Sequence, residues 1–178
     1  MRFWIADEHF GHNKPFIYTS RGFTSIEEHD EEMIRRFNSK VGPNDTTYHI
    51  GDFCWMSVNR YLSRLNGKLI FIYGNHDKTL REFLTAHPER AEAHEGYYNM
   101  YIGNKQPLTL CHFAMRSWEK SHYNAMHLYG HHHSKTDFGG KTLNVSVDSL
   151  DGYPISEDEL LAYMERRPNN WDYLGDRK

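Results

Sequence analysis

The segment Met126–His133, with the sequence MHLYGHHH, passes from a strand-like run directly into three histidines. Four other strand-like runs also end on residues that can bind metal ions. They are Phe3–Ala6 before Asp7-Glu8-His9, Thr47–Ile50 before Gly51-Asp52, Leu69–Tyr73 before Gly74-Asn75-His76-Asp77, and Leu108–Cys111 before His112. Short apolar runs are typical of buried strands. Five strand ends that carry oxygen or imidazole ligands predict that these strands converge on one metal site.

Length and composition indicate a folded globular protein. The chain has 178 residues, which suits one domain over residues 1–178. Apolar residues make up 38% and aromatic residues 15% of the chain, and these proportions argue against disorder. The formal charge of -3 predicts no broad basic surface. We therefore do not expect long duplex nucleic acid as a partner, although a local basic patch stays open.

The cysteine content and the hydropathy pattern indicate a cytoplasmic protein. The two cysteines, Cys54 and Cys111, are too few for a disulfide scaffold or a thiolate zinc site. A strand signal begins at Arg2, which leaves no room for a secretory leader. No apolar run approaches the roughly 20 residues of a membrane span. We expect no membrane partner, and the oligomeric state stays open.

Strands and helices alternate in the first half of the chain, whereas strands come in pairs in the second half. Two S-x-x-E capping patterns, at Ser25 and Ser156, predict helices that run to about Lys40 and about Arg166. Shorter helices are predicted over Ser57–Asn66 and Thr79–Ala86, and a loop over residues 10–24. The predicted strands are Arg2–Ala6, Thr46–Ile50, Lys68–Tyr73, a hairpin of Tyr97–Ile102 with Pro107–His112, and a pair of Met126–Gly130 with Thr142–Val147. This order predicts an α/β fold in which two mixed β-sheets pack as a sandwich flanked by helices, rather than a simple doubly wound sheet.

The candidate ligands suit divalent ions that bind oxygen and nitrogen. Residues two apart in an extended segment point the same way. The outer residues of Asp7-Glu8-His9 and of His131-His132-His133 are therefore expected to aim at a common point, and the middle ones away from it. Carboxylate, amide and imidazole groups together favour manganese, iron, zinc or nickel. The seven candidate metal ligands are Asp7, His9, Asp52, Asn75, His112, His131 and His133.

Seven ligands are more than one ion needs, and two ions would suit a phosphate substrate. Paired metal ions are a known solution for phosphate ester chemistry. Two aspartates and a bridging hydroxide carry -3 against +4 from two divalent ions, which leaves about +1 to attract a phosphate.

Taken together, these segments resemble the complete motif set of one enzyme family. Asp7-x-His9, Gly51-Asp52, Gly74-Asn75-His76-Asp77, His112 and Gly130-His131-x-His133 resemble, in order, the motifs of the calcineurin-like metallophosphoesterases. D-x-H or G-D alone carries almost no information, but five motifs in order, each after a predicted strand, are highly specific. The motifs span residues 7–133, and the resemblance implies the four-layer metallophosphoesterase fold.

The resemblance also implies a role for each motif residue. One ion would be held by Asp7, His9, Asp52 and His133, and the other by Asp52, Asn75, His112 and His131, with Asp52 as the bridge. His76 would lie near the phosphate, where it stabilises charge or protonates the leaving oxygen, and Asp77 would orient it. A histidine near its working pKa can serve as such a proton donor. The nucleophile would be a hydroxide that bridges the two ions, so no serine or cysteine nucleophile is needed.

We expect a hydrolase that uses two divalent ions to cleave a phosphate ester, and we expect manganese ahead of iron, zinc or nickel. A phosphodiester of a small or nucleotide-like substrate is favoured, although His76 keeps monoesters open because an alkoxide leaving group needs a proton. Two alternatives stay open: a nuclease of the same family that acts on single-stranded nucleic acid, and a non-catalytic metal-binding interaction module. His12, Arg21 and Arg116 stay open between phosphate contacts and ordinary loop or solvated positions.

Overall fold

The computed structural model describes residues 1–175, in which two mixed β-sheets pack face to face. The strands of the first sheet are, in spatial order, Glu92–His94 (β4), Lys68–Ile72 (β3), Thr46–Ile50 (β2), Arg2–Ile5 (β1) and Ile155–Ser156 (β9). Strands β1 to β4 are parallel, and β9 is antiparallel to β1. The strands of the second sheet are Tyr97–Ile102 (β5), Gln106–Cys111 (β6), Met126–Tyr129 (β7) and Thr142–Asn144 (β8). Strands β5 and β6 form the predicted hairpin, and β6, β7 and β8 are parallel, so the predicted fold class is confirmed.

The α-helices are α1 (Pro15–Tyr18), α2 (Ile26–Lys40), α3 (Val58–Leu62), α4 (Lys78–Ala86) and α5 (Glu157–Glu165), with a 3-10 helix at Ser121–Tyr123. Helices α2 to α5 begin close to their predicted starts, whereas α1 and the 3-10 helix were not predicted. The Ser25 hydroxyl accepts the Glu28 N–H at the start of α2, but the Glu28 carboxylate turns to Thr24 instead of Ser25. The complete capping box forms only at α5. Within residues 1–175, no helix has both the length and the apolar character to cross a membrane.

The predicted boundaries are wrong at a few short elements. Helix α1 lies inside the predicted loop over residues 10–24, and the prediction missed β4 and β9. Runs of two to four residues are too short to show a periodicity, so only their tertiary partners reveal them. Helix α3 ends at Leu62 rather than Asn66, and a turn follows before Gly67 with its φ of +82°.

Two apolar cores lie on opposite faces of the first sheet. Phe3 and Ile5 of β1 point into the core beneath α2, α3 and α4. Trp4, between them, points into the core that the two sheets share, as the alternation of a strand requires. Cys54 lies in the helix-side core, where burial raises the pKa of its thiol, and it forms no disulfide. The sandwich therefore fixes the first sheet on both faces and holds the carboxyl ends of β1, β2 and β3 rigidly at one edge.

His127 is a fully buried residue of β7 that makes the stability of the fold depend on pH. Its Nδ1 lies 3.1 Å from the Thr109 carbonyl oxygen, and its Nε2 accepts the Met115 N–H at 3.1 Å. Burial lowers the pKa of His127 from 6.5 to about 4. Between these two values the unfolded chain binds a proton that the folded chain does not bind, so stability must fall as the pH falls through this window.

We expect His127→Gln to remove this component of the pH dependence. The Gln side-chain oxygen can still accept the Met115 N–H, but it cannot titrate. From pH 6.5 down to about 4 the wild-type free energy of unfolding should lose on the order of 2–3 kcal/mol more than that of the variant. Urea unfolding of both proteins across this range measures the difference, and identical pH slopes would contradict the assignment.

Candidate metal centre

Loops from both sheets meet at the carboxyl ends of the parallel strands. The Asp7 N–H donates to the Gly51 carbonyl and the His9 N–H to the Asp52 carbonyl, each at 3.0 Å, so the loops after β1 and β2 lie side by side. From the second sheet, the backbone N–H of His131 donates to Oδ2 of Asp7 at 2.9 Å. The strand ends therefore converge on one site, as the sequence predicts.

The backbone at this site is not extended. Four predicted ligands lie in the left-handed region, with φ of 64° at Asp7, 53° at His9, 57° at Asp52 and 67° at His131. The prediction that Asp7-Glu8-His9 and His131-His132-His133 are extended segments is therefore wrong at Asp7, His9 and His131. A left-handed residue other than glycine costs about 1–3 kcal/mol and persists only where the surrounding structure holds it. Such strain is typical of functional sites, because it places side chains where a relaxed backbone would not.

The first group of candidate ligands is Asp7, His9 and His133, whose ligand atoms all lie within 4.8 Å of one another. Nε2 of His9 and Nε2 of His133 are 3.2 Å apart. The middle residue of the first motif points away, as predicted, since the Glu8 carboxylate lies 2.6 Å from Nδ1 of His49 in the core. The two imidazoles therefore face one shared point.

The second group is Asp7, Asp52 and His112, again within 4.8 Å of one another. Oδ2 of Asp52 lies 3.6 Å from Nε2 of His9 and 3.5 Å from Nε2 of His112. Its other oxygen, Oδ1, accepts the backbone N–H of His76 at 2.9 Å. The carboxylate of Asp52, a member of the second group, thus has one oxygen held by the backbone and the other directed at a ring nitrogen of each group.

The two remaining predicted ligands lie at the solvent side. Oδ1 of Asn75 is 3.0 Å from Nε2 of His112, while the His131 ring centroid is 5.2 Å from the His112 ring and belongs to neither group of three. Nδ1 of His112 lies 2.9 Å from the Ile50 carbonyl oxygen, which fixes the ring and leaves Nε2 as the ligand atom. Asp7, Asp52 and His112 are buried, whereas Asn75, His131 and His133 are exposed. The site therefore opens to solvent on the side of these three exposed residues.

Glycine precedes three predicted ligands because no side chain fits there. A Cβ at Gly51 would collide with the His112 ring, one at Gly74 with Oδ1 of Asp52, and one at Gly130 with Oδ2 of Asp7. The glycines of the motifs therefore allow the close approach of the ligand side chains.

The chemistry of the site fits divalent cations. Oδ1 of Asp7 is buried and has no hydrogen-bond partner among the described residues. Burial and the neighbouring Asp52 carboxylate raise the pKa of Asp7 well above its usual value. Burial and His133 lower the pKa of His9 to about 2, and burial lowers that of His112, so both rings are neutral at neutral pH. Uncompensated carboxylates beside neutral imidazoles are the donor set that a divalent ion satisfies.

Asp77 contacts the backbone of the site rather than the His76 ring that it was predicted to orient. Its carboxylate accepts the N–H groups of Asp52, Phe53 and Gly74, each at 2.8 Å. Burial raises the pKa of Asp77 to about 6 in spite of these bonds. Asp77 therefore ties the loop after β2 to the loop after β3, which positions Asp52.

His76 lies at the exposed edge of the centre and outside both ligand groups. Its ring centroid is 5.9 Å from the His9 ring and 5.5 Å from the Trp55 ring. The ring is thus adjacent to the candidate ligands, and it is exposed to solvent.

The sequence did not reveal that Arg21 and Asp148 form a buried pair behind His133. The Arg21 side chain is only 6% exposed and binds both Asp148 oxygens, at 2.9 and 2.7 Å, so it is neither solvated nor free for a phosphate. The guanidinium also donates to the carbonyl groups of Glu8 and Asp7. Asp148 accepts from Nδ1 of His133 at 3.0 Å, which aims Nε2 of that ring at the centre. Asp148 lies outside every motif, and only the chain topology brings it to the site.

Hydrogen bonds to Asp148 control its charge. Burial alone would raise the pKa of Asp148, but the bonds from His133 and Arg21 hold it far below its usual value.

We expect Asp148→Asn to weaken manganese binding or turnover by about 10–100-fold, because the neutral amide orients His133 and pairs with Arg21 less well. Calorimetric titration and steady-state kinetics measure the effect, with the surface variant Asp137→Asn as the control. Unchanged affinity and turnover in Asp148→Asn would contradict this role.

Comparison with known proteins agrees with the geometry. Residues 5–153 match the model of the calcineurin-like phosphoesterase superfamily domain. The uncharacterized protein MJ1445 of Methanocaldococcus jannaschii is 30% identical over 175 residues, covering 91% of this chain and 90% of that protein. The crystal structure of AQ665, a protein of unknown function from Aquifex aeolicus, aligns with a TM-score of 0.69 and 24% identity over 92% of this chain and 98% of that one.

A structurally characterised archaeal phosphodiesterase shares the fold as well, with a TM-score of 0.51 and 20% identity over 82% of this chain and 81% of that one. The fold, the order of the five motifs and the match over residues 5–153 lead to one assignment. The chain belongs to the calcineurin-like phosphoesterase superfamily, whose general reaction is the hydrolysis of phosphate esters.

Proposed function

We propose that this protein hydrolyses phosphodiesters of small or nucleotide-like substrates with the help of two divalent ions, and that manganese is the preferred metal. The observation that carries this proposal is the position of Asp52, whose Oδ2 lies within 3.6 Å of a ring nitrogen in each ligand group. A carboxylate oxygen that faces both ligand sets can be shared by two neighbouring ions and offsets their mutual repulsion.

Each ion has its own set of residues in this proposal, as the family resemblance implies. Asp7, His9, Asp52 and His133 hold one ion, and Asp52, Asn75, His112 and His131 hold the other. When bound, the ions supply positive charge for the phosphate and activate water as the nucleophile. The protein keeps the imidazoles neutral, holds the carboxylates buried, and aims His133 and His112 through Asp148 and the Ile50 carbonyl.

His76 donates a proton to the leaving oxygen in this proposal. It is an exposed histidine next to the centre that belongs to neither proposed set of ion ligands, and its backbone N–H donates to Oδ1 of Asp52. An alkoxide leaves far more easily when it is protonated, so a positioned histidine contributes mainly for such substrates.

The charge of the site favours diesters over monoesters. Two divalent ions, two aspartates and a hydroxide sum to about +1, which matches the single negative charge of a phosphodiester. Arg21, whose guanidinium lies beside the centre, is already neutralised by Asp148. Of the compared structures, the archaeal phosphodiesterase carries a name of the same reaction class.

The proposal is tested with two chromogenic substrates side by side. Chelator-stripped protein is reloaded with manganese and assayed with bis-p-nitrophenyl phosphate and with p-nitrophenyl phosphate. We expect turnover of the diester to exceed that of the monoester. A preference for the monoester would contradict the diester assignment, and no turnover of either by protein that binds two ions would contradict the catalytic proposal in favour of a metal-binding module.

A further inference from the structure

Three exposed side chains, Phe16, Trp55 and Met56, lie around the buried ring of His12, and Trp55 is the one that also contacts His76. Trp55 is 40% exposed although His12 covers one face of its ring, at 4.0 Å between centroids and 9° between planes. Phe16 is 67% exposed and meets the His12 ring edge-on at 5.9 Å, and Met56 is 52% exposed. We call His12 and Trp55 together the Trp55 platform.

The Trp55 platform is part of the same rigid loop pair as the candidate ligands. The backbone N–H of Trp55 donates to the Phe10 carbonyl at 2.8 Å, and the backbone N–H of Phe10 donates to the Phe53 carbonyl at 2.9 Å. Thr79 of α4 donates its hydroxyl to the Trp55 carbonyl at 3.2 Å. The His12 ring lies 5.5 Å from the His9 ring. The backbone of Trp55 is therefore tied to the loop that carries His9, and its indole lies against the His12 ring rather than in the core.

We propose that the Trp55 platform binds a flat aromatic or heterocyclic group on the leaving side of the phosphodiester, such as a nucleobase or an aryl ring. This inference rests on the proposed function, because His76 defines the leaving side. The His76 ring is 5.5 Å from the Trp55 ring, so a leaving group that takes its proton from His76 begins next to the indole. Stacking on an aromatic side chain is independent of base identity, since every base has a π-face. The platform therefore selects ring-bearing leaving groups and discriminates weakly among bases.

A second aromatic surface is the alternative binding place for such a group. A cavity of about 360 Å³ lies beyond His132, and its walls include Arg116, Trp118, Phe138 and Trp171. It borders the centre through His132, whose ring contacts the His131 ring at 5.5 Å. We favour the Trp55 platform because it adjoins His76, whereas this cavity adjoins His131 on another side.

The test uses adenosine as the probe and needs no turnover. Calorimetric titration of adenosine, and separately of inorganic phosphate, is carried out on manganese-loaded wild type, Trp55→Ala, Trp55→Phe, Trp55→Leu and Trp171→Ala. We expect adenosine to bind about tenfold or more weakly to Trp55→Ala and Trp55→Leu, because stacking changes base affinity by a factor of about 5 to 150. Trp55→Phe should keep most of the affinity, and ribose should not bind detectably.

Phosphate binding reports on the centre and separates the two proposals. Phosphate affinity that is equal in all five proteins shows that the Trp55 variants leave the centre intact. Equal adenosine affinity in wild type and Trp55→Ala would overturn the inference, as would a larger loss in Trp171→Ala than in Trp55→Ala. Full affinity in Trp55→Leu would overturn the stacking, because leucine keeps the apolar surface but not the ring. Failure of wild type to hydrolyse bis-p-nitrophenyl phosphate would overturn the proposed function without altering these affinities.

Discussion

Asp52→Asn is expected to reduce turnover of bis-p-nitrophenyl phosphate by at least about 1000-fold, a loss of about 4 kcal/mol of transition-state stabilisation. The substitution keeps the size of the side chain and an oxygen that can still accept the His76 N–H. It removes the negative charge that lies within 3.6 Å of ring nitrogens in both ligand groups. Without that charge the centre cannot hold two divalent ions next to each other, so the number of ions bound per chain should fall from two to one.

Metal analysis of the purified variant and kinetics at saturating manganese measure this result. Asp151→Asn is the matched control, because Asp151 has a φ of 51° that asparagine also adopts, and its carboxylate pairs with Lys135 at the surface. We expect this control to keep two ions and wild-type turnover. An Asp52→Asn protein that retains both ions and turns over within tenfold of wild type would show that Asp52 is not the bridge.

His76→Ala is expected to slow hydrolysis by about 10²–10⁴-fold for substrates with an alkoxide leaving group, the usual contribution of a general acid. For bis-p-nitrophenyl phosphate the loss should be much smaller, because p-nitrophenolate is a weak base and departs without a proton. His76 belongs to neither ligand group, so manganese binding should not change.

The dependence on leaving group is the informative measurement. Rates for wild type and variant are plotted against the leaving-group basicity of a series of phosphodiesters. The two lines should diverge as the leaving group becomes more basic. Parallel lines would contradict proton donation by His76, and a loss of bound manganese would instead make the residue part of the metal-binding apparatus.

The sequence was sufficient for the fold class because its strongest signals are long and local. Lys68–Ile72 is an apolar run that ends at Gly74-Asn75-His76-Asp77, and the two capping patterns locate the starts of α2 and α5. Motif order then indicated which strand ends must meet. In the structure, the ligand atoms of Asp7, His9 and His133 lie within 4.8 Å of one another, and so do those of Asp7, Asp52 and His112.

The backbone conformation of the ligands, and contacts between residues far apart in the sequence, could not be predicted from local patterns. Asp and His adopt left-handed backbone more often than most residues, but this preference is too weak to single out Asp7 or His9 from the sequence. Asp77 turned out to bind three backbone N–H groups, because the loops after β2 and β3 are brought together only in the folded sheet. Asp148 contacts residues more than 100 positions away in the sequence, at Arg21, so pattern alone could not pair them.

The central claim is that two ions act together at one centre, and a combined titration tests it most directly. Chelator-stripped protein is titrated with manganese while bound ions and turnover of bis-p-nitrophenyl phosphate are followed in the same samples. The proposal predicts little turnover after the first equivalent per chain and full turnover after the second. Full turnover at one equivalent, or two bound ions with no turnover, would contradict it.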